Sequence, residues 1–163
     1  MYRIEKLTKR HDRDLFDCGE ESLTTYLSQY ARQNAARGIS TTYVLVREGE
    51  TRVLAYYAIA TGQVEREAVP EEHPLPRYPV PTIRIGRLAT DLRVQGAGIR
   101  RLMLADAVRR ALVIAAEIGV YTIEVDALHD DARAFYLRYG FQPLLDDRQH
   151  LFMTIKQARK HGE

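Results

Sequence analysis

Thr82-Ile83-Arg84-Ile85-Gly86-Arg87-Leu88-Ala89-Thr90-Asp91, then Leu92-Arg93-Val94, then Gln95-Gly96-Ala97-Gly98-Ile99-Arg100-Arg101-Leu102 is the stretch that decides the fold. It reads as a strand, a glycine-bearing turn and the start of a long amphipathic helix. The helix is expected from Gly98 to Gly119, with Ile99, Leu102, Ala105, Val108, Leu112, Ala115 and Ile118 facing a core and Asp106 able to pair with Arg109 or Arg110. Such a junction aims backbone N–H groups and the positive end of a helix dipole at one spot, a geometry that binds phosphate. A Gly-x-Gly pair alone also occurs as a plain turn. Here it follows a strand, opens a helix and is flanked by the polar Gln95. No Gly-Lys-Ser/Thr follows, so it is not a Walker loop. Arg100 at the sixth position and the mid-chain location make it a poor dinucleotide fingerprint.

Working outward, Val120 to Ala127 reads as a strand, so strand, crossover helix and strand form one parallel βαβ unit. Asp130 to Tyr139 reads as a helix ended by Gly140, and Phe141–Leu145 and His150–Lys156 as closing strands. Upstream, Tyr2 to Leu7 alternates as a short strand. Glu21 to Arg37 repeats Leu23, Tyr26, Leu27, Tyr30 and Ala31 at helical spacing before Gly38. Thr41–Arg47 and Arg52–Gly62, joined across Glu48-Gly49-Glu50, read as an antiparallel hairpin. All but one of the six prolines fall between Glu65 and Pro81, which marks a loop. The expected architecture is α/β with a mixed sheet and helices on both faces, in a single domain over residues 1–163.

The composition is that of an ordinary soluble protein, 45% hydrophobic and 28% charged over 163 residues. No apolar run approaches the roughly 20 residues that cross a bilayer, and the N-terminus lacks a signal peptide's apolar centre. Membrane partners are not expected, and the cytoplasm is the simplest compartment. One cysteine, Cys18, excludes an internal disulfide. It reads as a small buried residue of the first turn rather than a nucleophile. The net charge of +2 does not by itself imply nucleic acid, but Arg84, Arg87, Arg93, Arg100, Arg101, Arg109 and Arg110 crowd one stretch. Arg109 and Arg110 read as solvated helix-face charges. Nothing in the pattern suggests a metal site.

Two segments carry a resemblance. Gln95-Gly96-Ala97-Gly98-Ile99-Arg100 resembles the GNAT acetyltransferase signature Gln/Arg-x-x-Gly-x-Gly/Ala, and Ala132 to Phe141 resembles that family's late Ala-x-x-Phe/Leu-Tyr-x-x-x-Gly-Phe segment. Phe16-Asp17-Cys18-Gly19 with Leu23 and Tyr26-Leu27, Gly86 to Asp91, and Val125-Asp126-Ala127 resemble one subgroup, the GNAT toxins of type II toxin–antitoxin systems. The resemblance spans nearly the whole chain. It implies the GNAT fold, with a mostly antiparallel twisted sheet holding one parallel βαβ unit, and acetyl-CoA as cosubstrate. It also implies acetylation of the amino group of aminoacyl-tRNA with a block on translation, a ribbon-helix-helix antitoxin as partner, and a homodimer.

Carried over residue by residue, the resemblance implies that Gln95, Gly96, Ala97, Gly98, Ile99, Arg100 and Arg101 bind the cofactor's phosphates. Leu88, Ala89 and Thr90 would offer strand backbone to the pantetheine arm and polarise the thioester oxygen. Tyr136 would be the general acid, its phenol protonated at neutral pH and able to give a proton to the departing thiolate. On periodicity alone Tyr136 reads as a core aromatic, as Phe135 and Tyr139 do. The chain departs from the family pattern at two places. Arg100 stands where a small residue is usual, and either crowds the cofactor or binds its phosphate. His129 stands where many members have an asparagine, and either replaces its contact or lies exposed in the loop.

The substrate is constrained by an absence. Thr82 to Thr90 holds no Asp or Glu to act as base, and a lysine amine at a pKa near 10.4 needs one. An esterified α-amino group ionises far more easily, so the base is either water or a group from another element. A tRNA acceptor stem would also employ Arg84, Arg87 and Arg93, with Arg32 or Arg37 at the end of the first helix, while Arg93 and Arg101 are equally open to the cofactor's own phosphates. The rivals are acetylation of a small amine or a protein N-terminus, and a CoA-binding protein with little turnover because of Arg100.

Overall fold

The computed structural model describes residues 1–161. Seven strands form a mixed sheet: β1 (Tyr2–Lys6), β2 (Thr41–Arg47), β3 (Ala55–Val64), β4 (Val80–Thr90), β5 (Thr122–Asp126), β6 (Gln142–Pro143) and β7 (His150–Thr154). Their order is β1-β2-β3-β4-β5-β7-β6. Thr82 to Ile85 run parallel to Thr122 to Val125, with α3 (Ile99–Ala115) as the crossover. The β1–β2, β2–β3, β5–β7 and β6–β7 pairs are antiparallel. The hairpin, the βαβ unit and the mixed sheet all match the expectation.

The chain divides into two compact units, residues 1–60 with 86–107, and residues 61–85 with 108–163. The first unit is built on β1, β2 and the start of β3. Its core joins Phe16, Leu27, Ala31, Val44, Val46 and Val53 to Tyr26, Tyr56 and Ala89. The helix expected from Glu21 to Arg37 is continuous but mixed: α1 (Glu21–Thr25), a π-helical turn (Tyr26–Tyr30) and α2 (Ala31–Ala36). In the second unit Val64, Ala68, Val69, Val80, Leu144 and Phe152 pack together. Arg66 donates to the carbonyls of Val69, His73 and Leu75, and so orders the proline-rich loop.

Three expectations are corrected. The face that α3 buries is Ile99, Met103, Leu104, Ala107, Val108 and Ala111, whereas Leu102 is 43% exposed and Ala105 and Ile118 are also exposed. Successive steps of three residues fall short of a 3.6-residue turn, so the expected stripe drifts off the buried side. The Phe141–Leu145 strand shrinks to Gln142–Pro143, since proline offers no N–H to a ladder. The last strand ends at Thr154 rather than Lys156, and α5 (Ile155–His161) follows. A reciprocal cap makes that switch: Gln157 N–H donates to Thr154 Oγ1 at 3.0 Å, and Thr154 N–H to Gln157 Oε1 at 3.0 Å.

Candidate active site

The turn after β4 is held by buried polar contacts within the first unit. Asp91, nearly fully buried, accepts from the amides of Arg93 (2.9 Å) and Asp17 (3.2 Å), while its own amide donates to the Leu54 carbonyl at 2.8 Å. Leu92 N–H donates to the Asp17 carbonyl at 2.8 Å. The Gln95 side chain donates to the carbonyls of Thr90 (2.9 Å) and Cys18 (3.2 Å). The strand end, the N-terminal turn and the loop entry are thus one unit. Cys18 is buried, its thiol beside Thr24 Oγ1 and the Glu20 carbonyl, as expected for a packing residue.

Gly96 and Gly98 adopt φ of +84° and +78°, the left-handed region that side chains rarely enter. Beyond each glycine and its two chain neighbours, no heavy atom of the described residues lies within 4 Å of where a β-carbon would sit. The glycines therefore serve backbone direction rather than close packing, and leave an open approach to the main chain. Leu102 N–H bonds the Gly98 carbonyl at 3.1 Å, the first helical bond of α3. The amides of Ile99, Arg100 and Arg101 precede it, so the helix itself supplies them no acceptor. Arg100 is half-buried and Arg101 exposed. Ala89 is buried in the first core, Leu88 is half-buried, and the buried Thr90 hydroxyl has no hydrogen-bond partner among the described residues. These features fit a ligand that carries phosphate at one end and amide groups along an arm.

The arginines differ in engagement. Arg93 Nε donates to Asp91 Oδ1 at 3.2 Å, and Arg32 and Arg37 are exposed. Arg87 is exposed, with its guanidinium 3.8 Å from the centre of the Tyr26 ring. Arg84 belongs to the second unit and pairs with Asp126 and, at 3.5 Å, with Glu124.

Tyr136 also lies in the second unit, on α4 (Asp130–Tyr139). It is 5% exposed, and its ring packs against Phe135 and edge-on to Phe141 at 5.7 Å. His129 is exposed, and it has a job sequence reading missed: its Nδ1 accepts from Ala132 N–H at 3.2 Å as the N-cap of α4. Asp130 and Asp131 add favourable charge to that first turn.

A second polar group was missed altogether. Glu124, on β5 opposite Arg84, accepts from Thr82 Oγ1 at 2.7 Å and pairs with His150 Nε2. His150 Nδ1 meets Asp146 at 3.1 Å. Burial alone pushes the Glu124 carboxyl up, but the bonds from His150 and Thr82 and the Arg84 charge outweigh it and hold it below the usual value. The Glu124 bond raises His150 to about 9 against the cost of burial, so it is protonated at neutral pH. The carboxylate beside β4 is therefore already committed to a cation. No sequence pattern could flag it, because its partners are 26 and 42 residues away.

No protein-family model matches the chain. A tRNA-acetylating toxin of Mycobacterium tuberculosis is 38% identical over 156 residues, covering 94% of this chain and 92% of its own. A probable toxin TacT of Sinorhizobium fredii is 28% identical over 160 residues, covering 92% and 88%. Among solved structures, a tyrosine-to-phenylalanine variant of KacT superposes with a TM-score of 0.90 at 32% identity, over 98% of each chain. AtaT complexed with acetyl-methionyl-tRNAfMet gives 0.91 at 30% identity, over all of both chains. An AtaT variant bound to acetyl-CoA and the C-terminus of the antitoxin AtaR gives 0.85 at 31% identity, over 98% and 96%.

Proposed function

Since this chain belongs to the tRNA-acetylating toxins of the GNAT fold, we propose that it transfers an acetyl group from acetyl-CoA to the amino group of aminoacyl-tRNA and thereby blocks translation. It is an acetyl-CoA-dependent acyltransferase. β3, β4 and α3 each contribute residues to both compact units, which supports reading residues 1–163 as one acetyltransferase domain. The observation that carries the proposal is the open left-handed turn at Gly96 and Gly98 directly ahead of the first turn of α3.

When bound, acetyl-CoA supplies an acetyl group activated as a thioester. The amides at the start of α3 receive the diphosphate, with Gln95 and Ala97 shaping the turn and Arg100 and Arg101 adding charge. The main chain of Leu88 to Thr90 and the unpartnered Thr90 hydroxyl take up the amide-bearing arm. Strand N–H groups polarise the carbonyl that the amine attacks. Tyr136 gives its phenolic proton to the departing sulfur. The substrate amine reaches its neutral form by losing a proton to water, since an α-amino group ionises near neutrality and Glu124 is already bound to His150. Arg84, Arg87 and Arg93 supply positive charge to the acceptor stem. Family resemblance adds a ribbon-helix-helix antitoxin and a homodimer. AtaT's structure with a C-terminal piece of AtaR supports an antitoxin partner.

Incubation with labelled acetyl-CoA and either a charged tRNA pool or a panel of free amines tests the reading. Label on the charged tRNA alone is expected. Label on a free amine with charged tRNA untouched overturns it.

A further inference from the structure

The helix of the first unit changes pitch at Tyr26. Ala31 N–H bonds the Tyr26 carbonyl, five residues back, and Tyr26–Tyr30 forms a π-helical turn. Such turns break the regular spacing of side chains and are frequent at functional sites. Here Tyr26 is fixed on every side. Its hydroxyl bonds Ser40 Oγ at 2.7 Å and accepts from Asn34 Nδ2 at 3.2 Å. Its ring stacks on Tyr56 at 6.2 Å and 17°. Tyr56 is itself anchored by its hydroxyl to the Leu23 carbonyl at 2.6 Å and edge-on by Phe16. The Arg87 guanidinium rests on the Tyr26 ring, 3.8 Å from its centre. A guanidinium seated over a ring in this way leaves its N–H edges available to an acceptor. Those edges find no acceptor among the described residues. The Arg87 main chain stands one residue before Leu88 on β4.

We infer that Tyr26 is a positioning residue: it holds the Arg87 guanidinium as a preformed receptor for a phosphodiester of the charged tRNA's single-stranded 3′ end. The inference rests on the proposed function and names the part of that substrate which the Tyr26–Arg87 stack reads. A flexible, exposed arginine side chain would lose rotamer freedom on each binding event, and stacking removes that loss beforehand. Arg87 touches the substrate; Tyr26 acts only through it.

The test is steady-state acetylation of a charged tRNA pool by wild type, Tyr26→Phe, Tyr26→Leu, Arg87→Gln and the Tyr26→Leu/Arg87→Gln double variant, with acetyl-CoA affinity measured by calorimetry. Tyr26→Leu should raise KM for charged tRNA on the order of tenfold, with kcat and acetyl-CoA affinity kept. Tyr26→Phe, which retains the ring, should stay within about twofold of wild type. Arg87→Gln should raise KM and lower the salt slope of binding by about one. Adding Tyr26→Leu to it should raise KM no further. An unchanged KM in Tyr26→Leu, an equal increment in the Arg87→Gln background, or a loss confined to acetyl-CoA affinity overturns the inference. Should Tyr26→Leu not fold, Arg87→Lys keeps the charge without the planar stack: a raised KM supports the inference, and a wild-type KM overturns it. Wild type that leaves charged tRNA unmodified overturns the proposed function, and this inference with it. Wild type that acetylates normally beside an unaffected Tyr26→Leu overturns the inference alone.

Discussion

Raising the pH towards 9 should take a proton from the Glu124–His150 pair and weaken the fold. His150 has a side chain only 13% exposed, bonds Glu124 through Nε2 and Asp146 through Nδ1, and is held up at about 9 against an ordinary 6.5. Because the folded value is the higher one, the stabilisation is complete below about 6.5 and is lost as the pH climbs through about 9. The difference of 9 minus 6.5, at 1.36 kcal/mol per unit, corresponds to about 3.4 kcal/mol. Asp146 is half exposed and His150 reaches water at one edge, so screening leaves roughly 1–2 kcal/mol. The depressed Glu124 carboxyl describes the same pair from its other side and is not added. Its share is present above the ordinary carboxylate range and lost as the pH falls below it. Urea denaturation of wild type and His150→Gln at about pH 6.5 and about pH 9.5 reads the effect. The stability gap between them should narrow by that amount at the higher pH. A gap equal at both pH values refutes the reasoning.

Tyr136→Phe should lower kcat by about 10²–10⁴-fold with acetyl-CoA affinity unchanged in calorimetry, as loss of a general acid does; an unchanged rate removes the phenol from the mechanism. Gly98→Ala meets no neighbour but must hold φ at +78°, so it should cost roughly 1–2 kcal/mol in denaturation and weaken acetyl-CoA binding. Gly62→Ala acts by crowding instead. Its β-carbon would lie 2.6 Å from Glu124 Oε1 and 3.0 Å from Thr82 Oγ1, and a thermal melt should register a loss of about 1–3 kcal/mol.

The legible parts of this fold are those written in adjacent residues. The strand, glycine turn and helix from Thr82 onward, the hairpin at Thr41 and the helix at Asp130 each announce themselves within about a dozen positions, and each is present. The α3 face was misplaced because steps of three were followed where steps of four were needed: Met103 and Ala107 are buried, and Leu102 is not. The α5 start was legible and overlooked, since Thr154-Ile155-Lys156-Gln157 carries the spacing of a reciprocal cap. The rest lay beyond local pattern. Glu124 meets His150 and Thr82 only once β4, β5 and β7 are side by side, and Tyr26 meets Arg87 across 61 positions through a π-helical turn that periodicity cannot foresee. Of the proposed site, the glycine turn ahead of α3 was legible as backbone geometry. The role proposed for Tyr136 rests on family resemblance, because a buried phenol packed between aromatic rings has the same local pattern as any core tyrosine.

The central claim is acetyl transfer onto the amino group of a tRNA-bound amino acid. Mass spectrometry of the 3′-terminal aminoacyl-adenosine, released by nuclease from a charged tRNA pool treated with this protein and acetyl-CoA, tests it most directly. An acetyl mass on the amino acid, missing when the tRNA is uncharged and strongly reduced with Tyr136→Phe, is the predicted result. An unmodified aminoacyl-adenosine alongside consumed acetyl-CoA would contradict it.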